Sequence, residues 1–248
     1  MEKPKAESGG KIFKSKKMEN LRPNEQRAKN AIILIWIVLA LEIVNFISSY
    51  MQYDLLQNVA NGGFISDEVA DANDTREQIL GIIYFIAYLI SGITFIMWFR
   101  RAYFNLHQKI SYLAHSEGWA AGSWFVPIVN LYRPYQIMKE IYVETKELFT
   151  KRGLCEKIDY STSYLGWWWT LWIISAVVGQ FIFKFAFKSA DTIDNLITTT
   201  VAQMISNVLG VPLALITVKI IKDYSKVESL LAQISDEELK INNENETE

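Results

Sequence analysis

The chain has 248 residues, half of them hydrophobic, with 5 prolines, 1 cysteine and a formal net charge of -2. A single cysteine excludes any disulfide within the chain, and two histidines cannot complete a familiar zinc site with it. The balanced charge gives no general attraction to nucleic acid, while long apolar runs separated by charged stretches point to one membrane unit rather than several soluble modules.

In chain order, the lysine-rich head over 1–29 reads as a basic, disordered cytoplasmic tail. It is too long for the n-region of a cleaved signal, so the first apolar run is expected to stay as an anchor. A hydrocarbon core roughly 30 Å thick needs about 20 apolar helical residues. Four windows qualify: Ala31 to Met51, Ile79 to Phe99, Leu165 to Phe187 and Leu196 to Val218. Helices close their own backbone hydrogen bonds, and stretches such as Ala31 to Leu41 are apolar nearly all round, which a soluble amphipathic bundle would not be. The expected fold is therefore all-α and polytopic, with a four-helix membrane domain over 30–225 and an acidic, disordered cytoplasmic tail over 226–248.

Orientation follows from the basic residues. Nine Lys and Arg precede the first span, one lies between spans one and two, nine lie between two and three, and four follow the last. By the positive-inside rule both ends face the cytoplasm. The first outer loop is acidic, with Asp54, Asp67, Glu68, Asp71, Asp74 and Glu77 against Arg76 alone, whereas Lys184, Lys188, Asp191 and Asp194 mark the second. Arg100, Arg101, Trp98, Trp167, Trp168 and Trp169 are expected at the inner headgroup boundary.

Between spans two and three lies an interfacial segment, 102–160. Tyr103, Leu106, Ile110 and Leu113 recur at helical spacing and suggest an amphipathic helix along the inner surface. A second is expected from Pro134, with Ile137, Met138, Ile141 and Leu148 on its apolar face. Gly118 to Leu131 is apolar but too short to span and is interrupted by Gly122 and Pro127, so it should dip into the interface without crossing.

These residues also carry a resemblance: Arg100 and Arg101 followed by Asn105, then Gly118-Trp119-Ala120, Trp124-Phe125-Val126-Pro127-Ile128-Val129-Asn130-Leu131, Pro134-Tyr135-Gln136 and Leu165-Gly166-Trp167-Trp168-Trp169. Over roughly residues 30 to 225 the chain resembles a bacterial membrane family known as domain of unknown function 4328. The resemblance implies a polytopic bacterial membrane protein, so the expected location is the inner (plasma) membrane of the cell, and it brings no reaction, cofactor or ligand with it.

Glu42 lies about 17 Å along the first helix, close to the midplane. Asn45 and Ser49 share its face, and span four carries Gln203, Asn207 and Gly210 at steps of three and four. Tyr88 and Ser91 of span two, and Gln180 of span three, fall at matching depths and complete an expected intramembrane polar layer. Glu42 is either a proton or cation site or a neutral carboxylic acid that fixes helix packing through Asn207 or Tyr88. The second reading is preferred, since spans with one acidic residue rarely build an ion pathway. Lys184 is expected to snorkel toward the headgroups rather than pair with Glu42.

Phosphate-loop, Gly-x-Ser-x-Gly and His-Glu-x-x-His motifs are all missing from the sequence. His107 and His115 read as solvated polar-face residues, and Glu140 with Glu144 as a solvated pair, so neither a catalytic nor a metal site is expected. Trp119, Trp124, Phe125, Tyr132 and Tyr135 with Arg133 form either an apolar pocket with a cationic mouth or an interfacial anchor. The leading expectation is a non-enzymatic scaffold, regulatory or lipid-contacting module without cofactor. Its partners would be membrane lipids, a second copy of the chain or a membrane partner protein. The alternative is a small transporter or channel that uses the polar layer around Glu42.

Overall fold

A computed structural model describes residues 21–151, 161–186 and 192–245, and these contain helices and no strand. The helices are α1 (Glu25–Ala60), α2 (Asp67–Lys109), the single turn α3 (Trp119–Gly122), α4 (Arg133–Lys151), α5 (Ser163–Ala186) and α6 (Ile193–Asn245). A short 3-10 turn, Val129–Leu131, precedes α4. The all-α, four-span reading holds: α1, α2, α5 and α6 are each long and apolar enough to cross a membrane. Cys155, Lys188 and Asp191 lie outside the described residues.

α1 runs between α2 and α6, and α5 packs on α6, so the order around the bundle is α2, α1, α6, α5. The tight turn from α1 to α2 depends on Gly62, whose φ of 85° lies in the left-handed region that residues with a Cβ avoid. Ser66 then caps α2 by accepting a hydrogen bond from the Val69 amide at 3.4 Å. We call this the hairpin end of the bundle and the opposite end, where α3 and α4 lie, the α4 end.

The two ends are built differently. Along the spans, Ile33, Ile43, Ile47, Ile79, Ile82 and Ile86 are exposed, as a surface solvated by acyl chains requires. The closely packed core sits at the α4 end. There Trp98, Phe99, Tyr103 and Leu106 of α2 meet Ile137, Met138, Ile141 and Tyr142 of α4, Trp168 of α5, and Ile221 and Tyr224 of α6. The α4 positions recur every three or four residues, which gives that helix one buried stripe and one charged face.

Several boundaries differ from expectation. The Tyr103 to Ile110 repeat lies on the end of α2 and just beyond it, not on a separate surface helix, because nothing between Phe99 and Tyr103 breaks the helix and α4 supplies its apolar partner. Residues 21–29 are ordered: Asn24 and Ala28 are buried, and α1 begins at Glu25. The tail from 226 continues α6 as far as Asn245. Trp98 and Trp168 are fully buried in the core, while Trp167 beside them is 69% exposed, so the tryptophan run is a packing element with one outward ring rather than a belt.

Candidate functional site

A cavity of about 630 Å³ opens between all four spans. Its walls are Glu42, Asn45 and Ser49 of α1, Glu77, Gly81, Tyr84 and Tyr88 of α2, Ser175 and Gly179 of α5, and Gln203, Ser206 and Asn207 of α6. The cavity exists because α2 and α5 flank the α1–α6 pair without packing closely on each other. Residues at steps of three and four on α1 and α6 therefore face a gap instead of a neighbour.

The gap is closed toward the α4 end. Trp124, just after α3, inserts between the two outer helices, its ring centroid 5.7 Å from Phe95 and 6.1 Å from Phe99 of α2. On the other side it lies 6.2 Å from Trp169 and 5.7 Å from Trp172 of α5. Trp169 and Trp172 stack at 4.6 Å, and the Trp169 indole donates to the Leu131 carbonyl, which ties the loop before α4 to α5. Trp172 and Leu213 form the floor of the cavity. Edge-to-face rings at these distances make an apolar plug.

Glu42 is the central polar group. It is 6% exposed, accepts a hydrogen bond from the Tyr84 hydroxyl at 3.3 Å through Oε1, and its Oε2 takes no partner from the described residues. Its carboxylate fits because position 210 is glycine: a Cβ there would approach Oε1 to 2.2 Å. Across the cavity Ser175 Oγ is also buried without a partner, and no hydrogen bond reaches the side chains of Asn45, Gln203 or Asn207 from the described residues. Nearer the hairpin end Glu77 is already matched, taking a short hydrogen bond from Ser48 and a contact from Arg76 at 3.5 Å. Arg76 in turn reaches Ser48 Oγ at 2.8 Å and Asn73 at 2.6 Å. Gln52 donates to Thr200 at 2.9 Å and closes α1 on α6 there.

Of the expected polar layer, Glu42, Asn45, Tyr88, Gln203 and Asn207 line the cavity together. Ser91 is buried outside it, its carbonyl accepting from Thr94, and Gln180 is exposed, one position round α5 from the lining Gly179. Tyr84, not Tyr88 or Asn207, is the partner of Glu42, and Tyr88 stacks on it at 6.0 Å. Counting depth along each span could not distinguish tyrosines one turn apart on the same helix. Lys184 is exposed and does not line the cavity. Replacing Glu42 with glutamine, which keeps the acceptor for Tyr84, should leave the melting of the purified protein unchanged. Glu42→Leu should cost about 1 kcal/mol, the scale of an interhelical hydrogen bond in membranes.

The interfacial motif separates into distinct roles. Asn105 is buried, donating to Glu228 at 2.7 Å and to the Arg22 carbonyl at 2.9 Å. Arg100 reaches Glu117 at 3.4 Å. Arg133 donates to His115 Nδ1 at 2.8 Å and lies 5.5 Å from the Trp119 ring, while Pro134 is buried at the start of α4. Phe125, Pro127 and Ile128 form an exposed tip followed by half-buried Asn130, and Ile128 holds the left-handed φ of 68°. The aromatic residues therefore build no single pocket, since Trp124 turns into the plug and Phe125 turns out. His107 and His115 are half-buried and hydrogen-bonded, His107 to the His115 carbonyl at 3.0 Å, rather than solvated. Glu140 is likewise engaged, accepting from Tyr103 and the Ala114 amide, each at 2.6 Å. Groups of acidic, histidine or cysteine side chains able to hold a metal are absent among the described residues.

The family model described as Domain of unknown function (DUF4328) matches residues 61–226, and the chain belongs to this family. The match takes in α2 through the membrane part of α6 and leaves α1, with Glu42 and Asn45, outside it. No curated protein and no solved structure matches the chain.

Proposed function

We propose that the chain is a non-enzymatic, multi-pass inner-membrane protein that binds an amphipathic molecule from the bilayer in the cavity between its four spans. The observation that supports this is the set of polar groups around Glu42 that the protein itself leaves unmatched in an otherwise apolar chamber. Polar atoms at membrane depth without a partner cost several kcal/mol, so a chamber lined this way favours a guest able to donate hydrogen bonds. The apolar walls suit its hydrocarbon part. Ligand uptake in this chamber replaces the central interfacial segment as the main seat of function.

The cavity can be filled without disturbing the backbone, because a Cβ at Gly179 or Gly81 meets nothing within 4 Å. Lipids and small molecules extracted from the purified protein should include one that is depleted in Gly179→Phe and Gly81→Phe while both variants melt normally. An identical extract from wild type and both variants would defeat this reading. The transporter alternative draws on the carboxyl of Glu42. It predicts that Glu42→Gln folds normally yet abolishes proton-dependent flux in reconstituted vesicles. The plug at Trp124 favours binding over a through-path.

Both chain ends are assigned to the cytoplasm, on the ninefold difference in Lys and Arg between the segments flanking span two. With Cys155→Ser as background, single cysteines at Ser66 and Ser161 should label from opposite sides of intact cells. Labelling of both from one side would overturn this topology.

A further inference from the structure

Four arginines meet at the α4 end of α1 and α2, where the apolar part of span two stops. Arg27 of α1 donates to the Met97 carbonyl at 3.0 Å, and Arg22 lies over the Phe104 ring at 4.4 Å. Met97, Arg101 and Phe104 are one turn apart on α2, so these contacts bring Arg27 and Arg22 to either side of Arg101, with Arg100 adjacent. Arg101 is half-buried and has no hydrogen bond among the described residues. It feels the like charge of Arg22, Arg27 and Arg100.

The acids nearby do not neutralise this cluster. Among the described residues Glu228 is the carboxylate that acts on Arg101, held by Asn24 at 3.0 Å and Asn105 at 2.7 Å, and one negative charge offsets only part of four positive ones. Glu117 reaches only Arg100, and Glu25 is paired with Lys29 at 2.7 Å. A carbonyl and an aromatic face, the partners of Arg27 and Arg22, carry no net charge. Held together in this way, like charges are destabilising unless an anion joins them.

We propose that Arg22, Arg27, Arg100 and Arg101 bind the phosphate of an anionic membrane lipid. The lipid source is favoured over free phosphate by what lies on the membrane side of the cluster. Ile93 and Met97 precede Arg101 by two turns and one turn on the same face of α2, and both are exposed, as are Ile33 and Ile37 on α1. Acyl chains have a surface to lie on directly below a phosphate held by guanidinium groups, which match phosphate oxygens in bidentate geometry. The first twenty residues add Lys3, Lys5, Lys11, Lys14, Lys16 and Lys17 against three acids, a charge balance of the same sign. This site is separate from the four-span cavity, and its success or failure leaves that reading untouched.

The test uses the full chain in detergent, with binding of phosphatidylglycerol, phosphatidylcholine and inorganic phosphate followed by native mass spectrometry and by melting. Phosphatidylglycerol should bind and raise the melting temperature, and phosphatidylcholine should not. Arg101→Gln and Arg22→Gln should each weaken phosphatidylglycerol about fivefold, the effect of one basic residue near a lipid surface. Lys184→Gln, at the hairpin end, should not. Arg101→Gln should also lose the rise in melting temperature that phosphatidylglycerol gives the wild type. Equal binding of the two lipids, or undiminished phosphatidylglycerol binding in both arginine variants, would overturn the proposal. Inorganic phosphate that stabilises the protein as well as phosphatidylglycerol does would overturn the lipid assignment.

Discussion

Replacing Trp124 with alanine should destabilise the protein by about 3 kcal/mol and open the cavity toward the α4 end. The magnitude is the low end for truncating a packed aromatic ring, since the two outer helices meet through this side chain and have little else to close on. Its ring touches Phe95 and Phe99 on one side and Trp169 and Trp172 on the other, so its loss removes one edge-to-face contact from each of four rings. Melting of the purified variant checks the energy. A cysteine in place of Ser175, which lines the cavity above Trp172, checks the opening. In a Cys155→Ser background it should become reactive to an impermeant thiol reagent added on the α4 side only when Trp124 is alanine. Wild-type melting together with an unreactive cysteine would show that Trp124 is not the plug.

Trp124 also shows where the sequence was legible and where it was not. The four spans could be read because a bilayer imposes a length and a hydropathy that no other environment demands, and Glu42 stood out because charge at the midplane is costly. Gln203 and Asn207 were placed with it by helical spacing alone. Whether α2 and α5 touch is a matter of tertiary packing, and the cavity depends on their failure to do so. The tryptophans illustrate the same limit. Trp98 and Trp168 sit at the depth expected of an aromatic belt, but burial against Tyr224 and Phe95 makes them core, and nothing local to either residue distinguishes the two fates. Tyr84 was missed because a hydroxyl hidden in an apolar run carries no signal until its partner's position is known. The order of residues 21–29 was missed for a related reason, since it depends on Glu228, more than two hundred positions away.

That distant contact leads to the second large effect. Asn24 uses its side chain not to cap α1 but to donate to Glu228 and to the Trp98 carbonyl at 3.2 Å, and Asn105 completes the set by donating to Glu228. One carboxylate thus joins the entry to α1, the last turns of α2 and the part of α6 that packs at the α4 end. Glu228→Ala removes the acceptor for two buried amides and leaves both donors without their strongest partner. At about 1–3 kcal/mol for each buried donor left unsatisfied, the loss should be about 3 kcal/mol. Limited proteolysis should then cut near Arg22, because residues 21–24 lie ahead of α1 outside any helix and are held to α2 through Asn105. A double-mutant cycle makes the argument specific. If Asn24 and Glu228 act through one hydrogen-bonded unit, Asn24→Ala should cost much less in the Glu228→Ala background than in wild type, a coupling of about 1 kcal/mol or more in melting experiments. Additive losses would mean that the two residues stabilise the α4 end independently, and the carboxylate would then not be the tie between the three segments.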